Sequence, residues 1–368
     1  MSRMNVGILF GGRSGEHEVS LLSAASVYRH LDRERFDTLL IGIDYDGRWY
    51  YQESPSFDKE TGGLELISKK ENLIHVAPGE GLFLSGEKLA VDIVFPVLHG
   101  TYGEDGTVQS LLEIAGLPYV GAGVLASALG MDKTMVKRVW MQLGLPTVEF
   151  LEIRRERFGD PDRRDELLGE IERRFSYPLF VKPARCGSSV GVSRAESRSE
   201  LIAAAAAAFE YDTKLLVEPE VTGQEVECSV VGNEEARSFS VGEIVPHHSF
   251  YDYEAKYLDP DGAELRIPAA LDDELREEVR ELALRAYRAA DTEGFARLDF
   301  FVTAEKRVLL NEINTIPGFT SISMFPKLCE ASGLMYKDLI SRLIELGFAR
   351  FELRKSLRFT SDHRRPTD

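Results

Sequence analysis

Cysteine is scarce in this chain, with Cys186, Cys228 and Cys329 the only three among 368 residues. An odd, scattered count with no CxxC pair excludes a disulfide framework and a cysteine zinc site, and it fits a reducing cytoplasm. Positive charge is also in deficit. Lys and Arg number 44 against 61 Asp and Glu, a net charge of −17. That balance argues against nucleic acid or an anionic membrane as a general partner, while leaving room for a local basic pocket. No apolar run is long enough to span a bilayer, and Met1-Ser2-Arg3-Met4 leads into a strand-like segment without a signal-peptide core. There is no repeat at solenoid periods. Two nucleotide fingerprints are missing as well. Gly11-Gly12-x-x-Gly15 lacks the GxGxxG spacing, so a dehydrogenase reading rests on a Gly-rich turn alone. No GK[ST] follows the glycine-rich loop at 187–191, so it is not a Walker A loop.

What is present is an ordinary globular composition, long enough for two or three domains. Residues 5–10 (NVGILF) read as a buried parallel strand. A Gly turn, a helix over about 18–31 and a strand over 37–44 follow, which is the opening of an α/β domain. Another buried strand covers 91–98, and a helix covers 107–115. The pattern predicts one continuous helix over 126–143, a strand over 180–183 ended by Pro183, and a loop over 184–191. Ser197 and Glu200 fit a capping box ahead of an Ala-rich helix. Strands follow at 214–218 and 225–231, then an amphipathic helix over 272–290 and a final helix over about 336–346. The expected division is 1–121, 122–217 and 218–350, with 351–368 a flexible tail.

Two neighbouring stretches near the C-terminus carry the sharpest chemical signal. Arg297-Leu298-Asp299-Phe300 and Leu310-Asn311-Glu312-Ile313-Asn314 alternate as half-buried strands do. With Ala304-Glu305-Lys306-Arg307 as a four-residue hairpin loop, Asp299 falls opposite Glu312 and Arg297 opposite Asn314. Two carboxylates and a carboxamide are hard oxygen ligands suited to Mg²⁺ on substrate phosphates. The bland alternative is a solvated strand face with charges paired across it. Lys182, followed by Gly187-Ser188-Ser189-Val190-Gly191, is able to cover a polyphosphate, although the loop alone reads equally as a surface turn. Lys133 is a second candidate phosphate cation, or a solvated helix lysine. Glu218, at a strand end, is able to accept from an adenine amino group, or else marks a hinge of solvated acids.

The stretches VKPARCGSSVGV, VEPEVTGQE and RLDF…NEINTIPG together resemble the ATP-grasp superfamily. Three further motifs narrow the resemblance to the D-alanine–D-alanine ligase family. They are Gly15-Glu16-His17-Glu18-Val19-Ser20, His99-Gly100-x-x-Gly103-Glu104-Asp105-Gly106 and Phe250-Tyr251-Asp252-Tyr253-Glu254-Ala255-Lys256-Tyr257. The resemblance runs over about residues 4–348.

It implies a mixed α/β and α+β, three-domain ATP-grasp fold with a Rossmann-like N-terminal domain. The implied activity joins two D-alanines through an acyl phosphate, with ATP and Mg²⁺ or Mn²⁺ (two ions), for peptidoglycan precursor synthesis. A cytoplasmic homodimer is implied, with no nucleic acid and no membrane partner. By resemblance, Asp299, Glu312 and Asn314 are the metal ligands. Lys133 and Lys182 match phosphate lysines, and Lys256 matches a lysine at the γ-phosphate. Glu218 and the Val221 backbone match adenine contacts, and Glu225 matches the ribose contact. Glu18 matches the acid on the first D-alanine's ammonium, with Ser188 and Tyr257 hydrogen-bonding to it. Arg297 and the Gly318 N–H match the oxyanion site, and Ser323 matches a hydroxyl on the second substrate's carboxylate. His99 matches a histidine near the first substrate, and a structural role fits it equally.

Departures are small: Glu220 stands where a bulky apolar residue is common, and Pro219 where lysine is frequent. Cys186 reads as incidental. By the same resemblance, Tyr257 favours an amine nucleophile over D-lactate. A D-alanyl-D-lactate ligase, another carboxylate–amine ligase, or a nucleotide-binding module without catalysis are the alternatives.

Overall fold

The computed structural model describes residues 3–246, 263–320 and 322–358. In the N-terminal part, β1 (Met4–Gly11), α1 (His17–His30), β2 (Phe36–Ile43), β3 (Trp49–Gln52), β4 (Ile74–Ala77), β5 (Gly81–Leu84), β6 (Glu87–Lys88), β7 (Ile93–Pro96) and α2 (Thr107–Ala115) follow in order. The main sheet has the order β3-β2-β1-β7, with β1 parallel to both its neighbours. The run of buried apolar residues in β1 is what a central parallel strand needs, since both its faces are covered. β4, β5 and β6 form a small separate antiparallel sheet.

The next elements are α3 (Val124–Met131), α4 (Lys133–Gln142), β8 (Leu151–Arg154), α5 (Arg155–Gly159), α6 (Pro161–Arg174), β9 (Leu179–Pro183), β10 (Ser193–Ala195), α7 (Arg198–Ala208) and β11 (Lys214–Pro219). Strands β10-β9-β11-β8 form an antiparallel sheet whose core is closed by Leu167, Leu168 and Ile171 of α6 and Leu201 and Ala205 of α7. Half of the expected capping box forms: Ser197 Oγ accepts the Glu200 N–H at 3.3 Å, while the Glu200 carboxylate takes the Glu196 N–H at 2.8 Å instead of the Ser197 N–H. The last sheet holds β12 (Gly223–Val231), β13 (Arg237–Pro246), β14 (Ala263–Arg266), β15 (Phe295–Thr303) and β16 (Val308–Asn314), in the order β14-β13-β12-β15-β16. α8 (Asp273–Ala289) packs Leu275, Val279, Leu282 and Ala286 against it. α9 (Met324–Ala331) and α10 (Tyr336–Lys355) follow.

Three expectations change. The helix predicted over 126–143 is two helices, because Asp132 leaves helical geometry and its carboxylate caps the Met135 N–H at 3.1 Å. The break makes Lys133 the first residue of α4. α4, expected with the central part, buries Val136 and Trp140 in the core of the five-stranded sheet, and Trp140 Nε1 donates to the Ala286 carbonyl at 3.0 Å. The last helix runs on to Lys355, past the predicted start of a flexible tail at 351. Leu339, Ile340, Leu343 and Ile344 lie in the N-terminal core, and the buried Arg350 donates to the carbonyls of Gly121 and Tyr119. Residues 359–368 lie outside the described residues.

Candidate active site

The hairpin is the floor of the site. Thr303 N–H donates to the Arg307 carbonyl at 3.0 Å, and Lys306 has a left-handed φ of 63°. The turn is therefore the three residues 304–306, one fewer than expected. An odd turn alone would set Asp299 opposite Asn311. Instead the register shifts between Asp299 and Phe300, so Phe300 faces Leu310 and Asp299 faces Glu312. Asn311 is the extra residue of a β-bulge. The expected pairs Asp299–Glu312 and Arg297–Asn314 thus form, through two offsets that cancel.

Arg297 holds Asp299 in a bidentate pair, 2.7 Å at each contact, and lies 3.1 Å from Glu227 on β12. Burial works against the guanidinium charge, but Asp299 and Glu227 outweigh it and hold its pKa well above the ordinary value. Asn314 Nδ2 donates to Asp299 at 3.0 Å, and Lys133 Nζ lies 3.2 Å from Glu312. Both candidate metal-binding carboxylates are therefore balanced by cations on one sheet face. With the Asn314 amide turned over, the three side chains offer oxygens only, a donor set that fits Mg²⁺ or Mn²⁺.

Above the hairpin lies the loop after β9. Ser188 and Ser189 adopt left-handed φ values of 48° and 59°. Lys133 Nζ donates to the Cys186 carbonyl at 2.8 Å, tying α4 to this loop. Burial opposes the Lys133 charge, but Glu312 dominates and raises its pKa. Lys182 Nζ lies 2.6 Å from Glu218, whose other oxygen pairs with the buried Lys137. Burial disfavours the Glu218 carboxylate, and Lys137 with Lys182 overcomes this and lowers its pKa. Both Glu218 oxygens thus serve ammonium groups, and each keeps a second lone pair for a further donor. Val221 is half-buried at the turn between β11 and β12, and Glu225 is exposed on β12. Glu220 pairs with Arg194 at 2.7 Å, which accounts for an acid where an apolar residue is common.

The acid beside Ser188 is not the expected one. Ser188 Oγ donates to Glu16, which is buried. Glu18 is exposed and accepts from the Tyr45 hydroxyl at 3.0 Å. The reason is helical geometry. α1 begins at His17 with Glu16 as its cap, and residues two apart on a helix point about 200° apart. Glu16 therefore enters the cleft and Glu18 leaves it. A Cβ on Gly187 would lie 2.8 Å from the Glu16 carboxylate, so a larger residue there would push the carboxylate from this position.

His99 is buried beside Glu16. Its Nδ1 donates to the Ile316 carbonyl at 2.9 Å, and its Nε2 accepts from Ser23 Oγ at 3.1 Å. Burial lowers its pKa, which favours the neutral ring this pairing needs. Both ring nitrogens are engaged within the protein. Glu104, missed from sequence, accepts the Gly100 N–H at 2.8 Å and the Ile316 N–H at 3.4 Å. Burial, then Glu16 nearby, pushes its pKa up to about 8.

Beyond Asn314, Gly318 lies against Ser323, where an added Cβ would come 2.8 Å from Oγ. Ser323 Oγ accepts the Thr320 N–H at 3.0 Å. Phe319 anchors this tail among Phe95, Phe295, Phe325 and Tyr336. Lys256 and Tyr257 lie outside the described residues. Glu16 and Lys137 are the other residues that sequence reading passed over. Glu16 stood inside a motif already singled out, and Lys137 is four residues after Lys133, on the same helix face.

Two antiparallel sheets meeting at Lys182, Glu218 and the Asp299 hairpin, with an α/β domain in front, define an ATP-grasp fold. Family models for the D-ala D-ala ligase N-terminus and C-terminus match residues 5–122 and 139–345. The chain is 46% identical to a D-alanine–D-alanine ligase of Treponema denticola, over 96% of this chain and 99% of that one. Among solved structures, the D-alanine-D-alanine ligase from Coxiella burnetii is 35% identical, with a TM-score of 0.80 over 96% of both chains. The VanG D-Ala:D-Ser ligase from Enterococcus faecalis is 36% identical, with a TM-score of 0.81 over 94% of this chain and all of that one. The chain belongs to the D-alanine–D-alanine ligase family.

Proposed function

We propose that this chain joins two D-alanines, with ATP converted to ADP and phosphate, for peptidoglycan precursor synthesis. The observation that carries the reading is the contact of Ser188 with Glu16, which brings the N-terminal acid onto the phosphate loop. An amino-acid ammonium held by Glu16 sets its carboxylate toward Lys133, Lys182 and the hairpin. Lys133 and Lys182 neutralise the triphosphate so that one carboxylate oxygen attacks the γ-phosphorus and ADP leaves. Asp299, Glu312 and Asn314 would hold Mg²⁺ or Mn²⁺, two ions in the family, which neutralise charge on the transferring phosphate. The second D-alanine's amine then attacks the acyl phosphate carbonyl. Arg297 and the Gly318 N–H stabilise the resulting oxyanion, and phosphate departs. Ser323 takes the second carboxylate.

Lys256 belongs to the same proposal at the γ-phosphate, Tyr257 at the acid that holds the first ammonium, Glu218 and the Val221 backbone at adenine, and Glu225 at ribose. Among the described residues, no helix is long and apolar enough to cross a membrane. A cytoplasmic homodimer is part of the proposal, with size measured by light scattering.

The test is ADP release with D-alanine alone, and with D-lactate or D-serine added, with products identified by mass. Turnover on D-alanine alone, giving the dipeptide, is expected. Strict dependence on D-lactate or D-serine would overturn the reading.

A further inference from the structure

Lys137 is a lysine with no route to a ligand. Its side chain is 1% exposed, against 15% for Lys182. Its Nζ pairs with Glu218 and lies 3.5 Å from the Val148 carbonyl. Burying an ammonium is costly, and a carboxylate–ammonium pair in a core is commonly replaceable by apolar side chains of the same volume. The local charge count gives the reason for keeping it. Glu218 is shared by two ammonium groups, so the buried cluster carries one positive charge in excess. Lys182 is the member that reaches the cleft. On adjacent strands, Lys182 pairs with Leu216 and Glu218 with Phe180, which leaves Lys182 and Glu218 as diagonal neighbours. Without Lys137, Glu218 and Lys182 would form a closed one-to-one pair. Lys182 would then have to abandon a buried carboxylate in order to meet a phosphate.

We propose that Lys137 is a positioning residue for nucleotide binding: it keeps Glu218 balanced by a second cation, so that Lys182 is free to meet the triphosphate. The inference rests on the ATP-dependent ligase reading. It also connects the two lysines of α4, since Lys133 and Lys137 are one turn apart and address the two sheets of the cleft.

The experiment compares the unmutated chain with Lys137→Met, Lys182→Met and the double variant, using steady-state kinetics for ATP and for D-alanine. Lys137→Met should raise the ATP KM about tenfold, while kcat and the D-alanine KM stay within about threefold. In the double-mutant cycle, adding Lys137→Met to Lys182→Met should cost no further ATP affinity, because the effect runs through Lys182. A merely structural role predicts parallel changes for both substrates and additive losses, and either result overturns the proposal. Where Lys137→Met does not fold, Lys137→Arg carries the test. It keeps the cation and should leave the ATP KM within about threefold, and a tenfold rise in the folded protein overturns the proposal. Normal turnover beside an unaffected Lys137→Met removes this inference alone. Absence of turnover in the unmutated chain removes the ligase reading and this inference with it.

Discussion

Replacing Glu16 by Gln, beside a matched Glu18→Gln, tests the site at its most discriminating point. Both changes remove one negative charge and keep the side chain's shape. Glu16 is buried, accepts from Ser188 and fills a gap that Gly100 and Gly187 leave open. A hydrogen bond between a buried carboxylate and a substrate ammonium contributes about 1.5–3 kcal/mol. Its loss lowers kcat/KM for D-alanine by roughly 10–150-fold, at about 1.4 kcal/mol per decade. Glu18 is exposed and accepts from the Tyr45 hydroxyl, and exposed substitutions usually stay within about 0.5 kcal/mol, roughly twofold. The assay is initial ADP release over a D-alanine series at saturating ATP, with a melting curve for each variant. A Glu16→Gln enzyme within threefold of the unmutated one, or a Glu18→Gln enzyme down by tenfold, would refute the assignment.

Asp299→Asn keeps the hairpin's shape but removes a charge from the metal site, so turnover should fall on the order of 100-fold or more and the Mg²⁺ titration midpoint should rise. An unchanged Mg²⁺ midpoint contradicts the proposed metal site. Phe319→Ala should cost about 3–5 kcal/mol, because the ring is fully buried among four aromatic neighbours. It should also depress activity through Gly318, and denaturant midpoints with rate assays check both. Glu104 has a pH signature of definite sign. Its carboxyl rises from 4.5 to about 8 on folding, so the folded state holds a proton that the unfolded chain releases between those values. The stabilisation is complete below pH 4.5 and is lost as pH rises through 8. Urea midpoints at pH 5 and pH 8 should therefore fall further in the unmutated chain than in Glu104→Gln, and parallel curves would count against a raised carboxyl.

Most of the fold is legible in the chain because period and burial agree there. The apolar run of β1 and the alternation of β15 and β16 fix strands and faces without tertiary information. Register is another matter. The Asp299–Glu312 pairing follows from an even turn on paper, whereas the molecule uses an odd turn and a bulge at Asn311. Only the sum of the two offsets was readable, because hydrophobic alternation constrains which face each residue takes and leaves the turn and bulge to compensate. Helix starts are less forgiving. A two-residue difference at the head of α1 exchanges Glu16, facing the cleft, for Glu18, facing out. Nothing in periodicity penalises that exchange, since both acids border the same apolar stripe. Lys137 was hidden for a different reason. On sequence alone a helical lysine reads as solvated, and its burial depends on a carboxylate that arrives from β11, some eighty residues later. Residues that touch ligands announce themselves by motif. A residue that works through Glu218 on Lys182 becomes visible only when the charges of α4, β9 and β11 are counted in one place, and that count carries the positioning role proposed for Lys137.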